Sequence, residues 1–135
     1  MWKDIEVRSR RHVEIIDVTD RVAAACRNLD ARDGLVVVIC KHTTAGVCVN
    51  EGDPKLHQDL ERWLESIAPT DREYAHNAVD DNAEAHLRSI LLGHNATIPL
   101  AEGSLSLGQW QRILFVELDG PRTRELQVGL MPVAG

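Results

Sequence analysis

The feature that most constrains this chain is Leu35 to Cys40, six consecutive apolar and mostly β-branched residues. They run into the polar cluster Lys41-His42-Thr43-Thr44 and out through Ala45-Gly46 into Val47 to Asn50. A run that apolar is unsuited to an edge strand with a wet face, so it belongs in the middle of a sheet. The second segment alternates, which sets Val47 and Val49 on one face and Cys48 and Asn50 on the other. A pleat continued back through the threonines would put His42 and Thr44 on the face of Asn50. An imidazole, two hydroxyls, an ammonium, an amide and the Glu51 carboxylate thus stand between or beside two core strands. Such groups either meet a ligand or satisfy neighbouring backbone groups, as Thr and His do in strands.

The rest of the pattern builds around this pair of strands. Ile5 and Val7, then Val13 and Ile15, alternate with polar residues on either side of Ser9-Arg10-Arg11, which predicts two antiparallel strands joined by a turn. Val22, Ala25, Cys26 and Leu29 fall at helical spacing behind Thr19, a residue able to cap a first turn. Asp53 followed by Pro54 is a strong helix start, and Leu56, Leu60, Trp63, Leu64 and Ile67 continue it as one apolar stripe that should cover a face of the sheet. A shorter helix should bury Ala83, Leu87, Ile90 and Leu91 before Gly93 stops it. Ala96 to Leu100, Ile113 to Leu118 and Leu126 to Met131 read as strands, the last two joined by Asp119-Gly120-Pro121-Arg122 with hairpin-turn chemistry. The order predicts an α+β fold, with helices packed against a largely antiparallel sheet.

Length supports residues 1–135 as a single domain. The net charge of -6 argues against a nucleic-acid surface, because phosphate contacts need clustered cations and Arg8, Arg10 and Arg11 are too few. No apolar run approaches the roughly 18 residues of a membrane span, and the charged start does not read as a signal peptide, so a cytoplasmic protein with no membrane partner is expected. Cys26, Cys40 and Cys48 lie in apolar patterns without Cys-x-x-Cys spacing and are expected as buried free thiols.

Of six histidines, His42, His76 and His86 stand beside other polar residues at element ends, while His12, His57 and His94 look incidental. Three imidazoles from separate segments can hold a divalent metal with an open position, provided the fold brings them together. The pairs His86 with Asp81 and His42 with Glu51 suit general acid–base work equally well. Gly103 and Ser104 could cradle an anion with backbone N–H donors, and a plain turn would look the same. Cys48 is a weak nucleophile candidate between valines.

His42-Thr43-Thr44-Ala45-Gly46-Val47, Asn50-Glu51, Asp59-Leu60, Tyr74-x-His76-Asn77, Asp81 with Ala85-His86, and Leu107-Gly108-x-Trp110-Gln111 together resemble the YjbQ-like family, the secondary thiamine-phosphate synthases. The likeness runs from about Ile5 to Met131. One departure is Gln109, where the family's last motif carries Thr. The resemblance implies a sandwich-like subunit assembled as a homotrimer. It also implies a pocket in which His42, His76 and His86 gather around a divalent metal such as zinc or magnesium. Catalytic roles then fall to His42, His86, Glu51 and Asp81. Ligand contacts fall to Lys41, Thr43, Thr44, Asn50, Asn77, Trp110 and Gln111, with Gly103 and Ser104 as anion-binding candidates. The implied reaction joins a hydroxymethylpyrimidine diphosphate to a thiazole phosphate and releases pyrophosphate. A metal-assisted hydrolase, or a non-catalytic trimer binding a small anionic metabolite, would use the same residues.

Overall fold

The computed structural model describes residues 2–133. In chain order the elements are β1 (Trp2–Arg8), β2 (Glu14–Asp17), α1 (Thr19–Arg27), β3 (Gly34–Cys40), β4 (Ala45–Glu51), α2 (Pro54–Ile67), a 3-10 turn (Ala75–Ala78), α3 (Ala83–Leu92), β5 (Asn95–Ala101), β6 (Ser104–Leu105), β7 (Gln111–Glu117) and β8 (Thr123–Pro132). The strands form a five-stranded sheet, β1-β8-β3-β5-β6, and a three-stranded sheet, β2-β7-β4. Every pairing is antiparallel.

Side chains that alternate inward from both sheets make the main core. Val36, Val38, Ile98, Val128 and Leu130 of the larger sheet meet Val47, Ile113 and Phe115 of the smaller, and Val22, Ala25 and Cys26 of α1 close one side. A second cluster lies on the other face of the smaller sheet, where Val116 and Leu118 pack under Leu64 of α2 and Ala85 of α3. The molecule is therefore the α+β fold of helices on antiparallel strands that the pattern predicts, with its two sheets stacked in the sandwich that the family resemblance implies. β3 takes the central place its apolar run requires, paired with β8 on one side and β5 on the other.

Neither expected hairpin forms. β1 pairs with β8 and β2 with β7, so Ser9 to Val13 carries the chain from one sheet to the other. The Asp119-Gly120-Pro121-Arg122 turn likewise joins β7 in the smaller sheet to β8 in the larger. The physical reason is edge satisfaction: β7 sits between β2 and β4, and β8 between β1 and β3, so each central strand bonds along both sides. Lys41 to Thr44 is a third crossover, between β3 and β4, and all three meet at one end of the sandwich. There Ser9 N–H donates to Arg122 O at 3.0 Å, and Leu118 N–H to Thr44 O at 3.2 Å. The Lys41–Thr44 segment is a bend, so the pleat does not carry His42 onto the face of Asn50.

The helices also differ from the pattern. Asp53 caps α2 as predicted, accepting from Lys55 N–H, with Pro54 in the first turn. Thr19 lies inside α1, and its hydroxyl donates to Asp17 and accepts from Ile113 N–H instead of capping. On α2 only Leu64 is fully buried, and Trp63 remains 50% exposed. α3 is turned the other way from its apolar stripe: Ala85, Arg88 and Ser89 face inward, whereas Leu87, Ile90 and Leu91 are exposed. Polar partners far along the chain decide this. Arg88 Nη2 donates to Ala68 O at 2.8 Å and to Glu65 Oε2 at 2.6 Å, and Ser89 Oγ to Ala45 O at 2.6 Å.

Candidate functional site

The crossover end is held by a buried ion pair that no motif announces. Glu117, last residue of β7, and Arg124, second residue of β8, are 0% and 3% exposed. Arg124 Nε donates to Glu117 Oε1 at 2.9 Å, and its Nη2 reaches Glu117, Thr44 O and Thr44 Oγ1. Glu117 also accepts from Ser9 Oγ at 2.7 Å and from the N–H groups of Leu118 and Asp119 at 3.1 Å. The ion pair thus ties all three crossovers together, Glu117 holding Ser9 and Asp119, and Arg124 holding Thr44. Burial alone would push the Glu117 carboxyl up, but the hydrogen bonds from Arg124, Ser9 and Asp119 outweigh it and leave it below the ordinary range. A buried pair persists in this way only when its remaining lone pairs and protons are satisfied, and no buried side-chain nitrogen or oxygen among the described residues lacks a partner.

Above this pair opens a polar cavity of about 580 Å³, lined by Lys41 and Thr43 of one crossover, Asp80 to Asn82 and His86 around the start of α3, and Asp119, Arg122 and Arg124. His42 lines it too, as it does an adjoining space that contains Cys40, Ile90 and His94. His42 Nε2 accepts from Glu125 N–H at 3.1 Å, so in the neutral ring the proton sits on Nδ1. Burial, with the Arg124 charge second, holds its pKa below the usual imidazole value. His76 and His86 meet edge to face, ring centroids 4.7 Å apart. His76 belongs to a relay: Asn82 Nδ2 donates to Asp119 Oδ2 at 3.0 Å, which leaves Asn82 Oδ1 to accept from His76 Nε2–H at 3.2 Å. His76 Nδ1 thereby carries the free lone pair, the arrangement a ligating histidine takes when its other nitrogen is anchored.

His76 fits a metal-ligand role on that chemistry and His86 stands against it, whereas His42 as oriented presents an N–H. Among the described residues no group of three or more His, Cys, Asp or Glu stands in a metal-holding arrangement. Asp81 lines the cavity beside His86. Asn77 has a different task here, its Oδ1 capping α3 by accepting from Ala83 N–H at 3.1 Å. Thr44 Oγ1 is taken up by Arg124.

The remaining candidates lie elsewhere in the protomer. β4 carries the chain away from His42 for seven residues, about 20 Å at strand rise, so Asn50 and Glu51 line a separate apolar cavity with Leu56, His57, Leu60 and Trp63. Glu51 sits across from Gln111 in the β4–β7 register. Gln111 Oε1 accepts from Gly108 N–H at 2.8 Å, which closes the loop carrying an exposed Trp110. Glu102 and Gly103, at φ 53 and 81, form the β5–β6 turn at the end of β5 opposite His94, and Ser104 begins β6. Residues missed in the sequence are Glu117, Arg124 and His94. The available signal for the first two was a carboxylate inside Ile113 to Leu118 and a cation seven positions on. For His94 it was Gly93, which ends α3 and sets His94 O against Cys40 N–H at 2.8 Å. The thiols are free as expected, Cys26 and Cys40 buried and Cys48 only half-buried, and burial pushes those of Cys40 and Cys48 up, away from nucleophilic use.

An antiparallel α+β sandwich with imidazoles and cations gathered where its sheets cross over defines the class of protein. Residues 3–133 match the family described as UPF0047 protein YjbQ-like, and the chain belongs to that family. It is 41% identical over 128 residues to a UPF0047 protein of Methanothermobacter thermautotrophicus, covering 95% of this chain and 90% of that one. To a UPF0047 protein of Archaeoglobus fulgidus it is 44% identical over 125 residues, 93% and 97% of the two chains. A YbjQ-like protein from Sulfolobus solfataricus P2 has the same fold at a TM-score of 0.95 and 34% identity, over 98% of this chain and 97% of that one. A protein from Aeropyrum pernix K1 matches at a TM-score of 0.95 and 38% identity, over 98% and 99%. No helix among the described residues is long and apolar enough to cross a membrane.

Proposed function

We propose that the chain is a small-molecule enzyme working in the crossover-end cavity, and that it joins a hydroxymethylpyrimidine diphosphate to a thiazole phosphate. In that reaction the thiazole nitrogen donates its lone pair to the methylene carbon of the pyrimidine. The carbon–oxygen bond to the diphosphate breaks, and pyrophosphate leaves with the electron pair. Both substrates are anionic and the leaving group gains charge, so the site must supply fixed cations and donors. The observation that carries the reading is the cavity lining: Lys41, Arg122 and Arg124 share it with His42, His86, Asp80 and Asp81.

Lys41 and Arg122 neutralise phosphate oxygens in this reading, His42 Nδ1–H donates toward the ligand, and Asp81 with His86 handles protons. A divalent metal, where His76 and His86 hold one, would neutralise the leaving pyrophosphate and leave the handling of protons to Asp81. Such phosphorylated substrates and three free thiols suit a reducing, cytoplasmic setting. We further propose assembly as a homotrimer. Supporting it, Leu87, Ile90 and Leu91 make an exposed apolar stripe on α3, and Ile90 lines the space beside His42, where a neighbouring copy would close the wall.

The test is turnover of the two substrates together and singly. Pyrophosphate released only when both are present supports coupling, and rescue of a thiamine-phosphate-synthase-deficient strain extends it to cells. Hydrolysis of either substrate alone, with no coupled product, replaces the transferase with a hydrolase. Absence of any turnover rejects the transferase and leaves a hydrolase of another substrate or a trimer that binds an anionic metabolite.

A further inference from the structure

Arg124 is almost wholly buried, yet its hydrogen bonding is incomplete in an informative way. Nε is taken by both oxygens of Glu117 and Nη2 by Glu117, Thr44 O and Thr44 Oγ1. Nη1 meets no acceptor among the described residues. It is not stranded in the interior, since no buried side-chain nitrogen or oxygen among those residues lacks a partner. Nη1 therefore keeps some exposure of its own, and the space Arg124 borders is the polar cavity. Arg122 repeats the pattern: Nε donates to Asp119 O at 2.9 Å and Nη2 to Asp119 Oδ2 at 3.1 Å, with Nη1 left without an acceptor among the described residues. Lys41, in the facing crossover, forms no ion pair among those residues and lines the same cavity.

We propose that Arg124 Nη1, Arg122 Nη1 and Lys41 Nζ form an oxyanion subsite that receives a phosphoryl group of the ligand. A planar guanidinium clamped on two sides has lost its rotational freedom before the ligand arrives, so its two remaining donors bind at little ordering cost. The pairing with Glu117 cancels much of the Arg124 charge, which makes Arg124 the positioning donor and Lys41 the source of net positive charge. The acidic Asp80 and Asp81 stand in the same cavity at the start of α3. The ligand class that satisfies both walls is a phosphate ester whose other end carries hydrogen-bond donors or positive charge. The identity of that ester rests on the proposed transferase function; the subsite does not.

The experiment is titration of the full chain with inorganic phosphate and, separately, pyrophosphate. Calorimetry follows binding, and NMR follows the guanidinium N–H signals of arginine-labelled protein. Saturable binding is expected, with the Arg124 and Arg122 signals shifting on saturation. Lys41→Gln and Arg122→Gln should each weaken binding by about tenfold to a hundredfold, the usual scale for a charge-assisted hydrogen bond. Arg124→Lys, which keeps a cation beside Glu117 but removes Nη1, should do the same. The labelled wild type decides the matter if that variant does not fold. No saturable binding of either anion overturns the subsite, as does binding that leaves the Arg124 signal unmoved. Anion binding as described without coupled turnover removes the transferase and keeps the subsite. Coupled turnover with an unmoved Arg124 signal does the reverse.

Discussion

The two ends of the sandwich are built on opposite principles. At the crossover end Ser9, Thr44, Glu117 and Arg124 are buried, and the ion pair is bonded to segments distant in sequence, Glu117 to Ser9 and Arg124 to Thr44. At the far end Asn50, Glu51, Trp110 and Gln111 are exposed and make local bonds, such as Asn50 Oδ1 to its neighbour's N–H and Gln111 Oε1 to Gly108 N–H. Buried, cross-linked polar groups hold a site in place before a ligand binds, whereas local bonds at a surface hold only a loop. The difference teaches that a polar motif is not by itself a site. What distinguishes the crossover end is that its polar residues are fixed from below.

The largest expected effect lies in the ion pair. Glu117→Ala or Arg124→Ala leaves a buried charge alone and should cost about 3–5 kcal/mol, against a change within about 0.5 kcal/mol for Glu51→Gln at the exposed end. Urea denaturation measures both, and equal small losses would break the comparison. Next comes Leu64→Ala, which empties the cluster under α2 and should cost about 2–5 kcal/mol.

Acid should loosen the crossover end in two stages. His42 has a folded pKa below its unfolded value of 6.5, so the unfolded chain takes up the proton first. Stability fully present above that value erodes as pH falls below it. Glu117 is also depressed, from 4.5, and its contribution is lost only as pH falls further, through its folded pKa. Urea midpoints for His42→Asn should lack the first stage and keep the second. Smallest for protomer stability is Ile90→Ser, which changes an exposed residue. Light scattering should nevertheless show it reducing a particle of about three chain masses toward one.

Much of the fold was legible because periodicity reports burial. β3, β4 and the start of α2 at Asp53-Pro54 lie where the pattern places them. Pairing was less so: Asp119-Gly120-Pro121-Arg122 has the same turn chemistry whether it closes a hairpin or carries a strand to another sheet. The partners that decide it, Ser9 and Thr44, are more than 70 residues away. α3 misleads for the same reason, since Arg88 and Ser89 find acceptors 20 and 44 positions distant and turn the apolar stripe outward. In the site, His42, His86 and Asp81 stood out as polar residues at element ends. Glu117 and Arg124 did not, because a charge inside an apolar strand looks like a solvent-facing position until its partner is known.

The central claim is that the crossover end carries the chemistry. It is tested most directly by pyrophosphate release from the paired substrates, comparing wild type with His86→Ala and His57→Ala at matched folded concentration. His86 lines the polar cavity, and His57 the apolar one at the far end, where its Nε2–H donates to Glu51 O at 3.2 Å. The account predicts turnover lowered by about a hundredfold or more in His86→Ala, with His57→Ala turning over at the wild-type rate. Wild-type turnover in His86→Ala, or loss confined to His57→Ala, would contradict it.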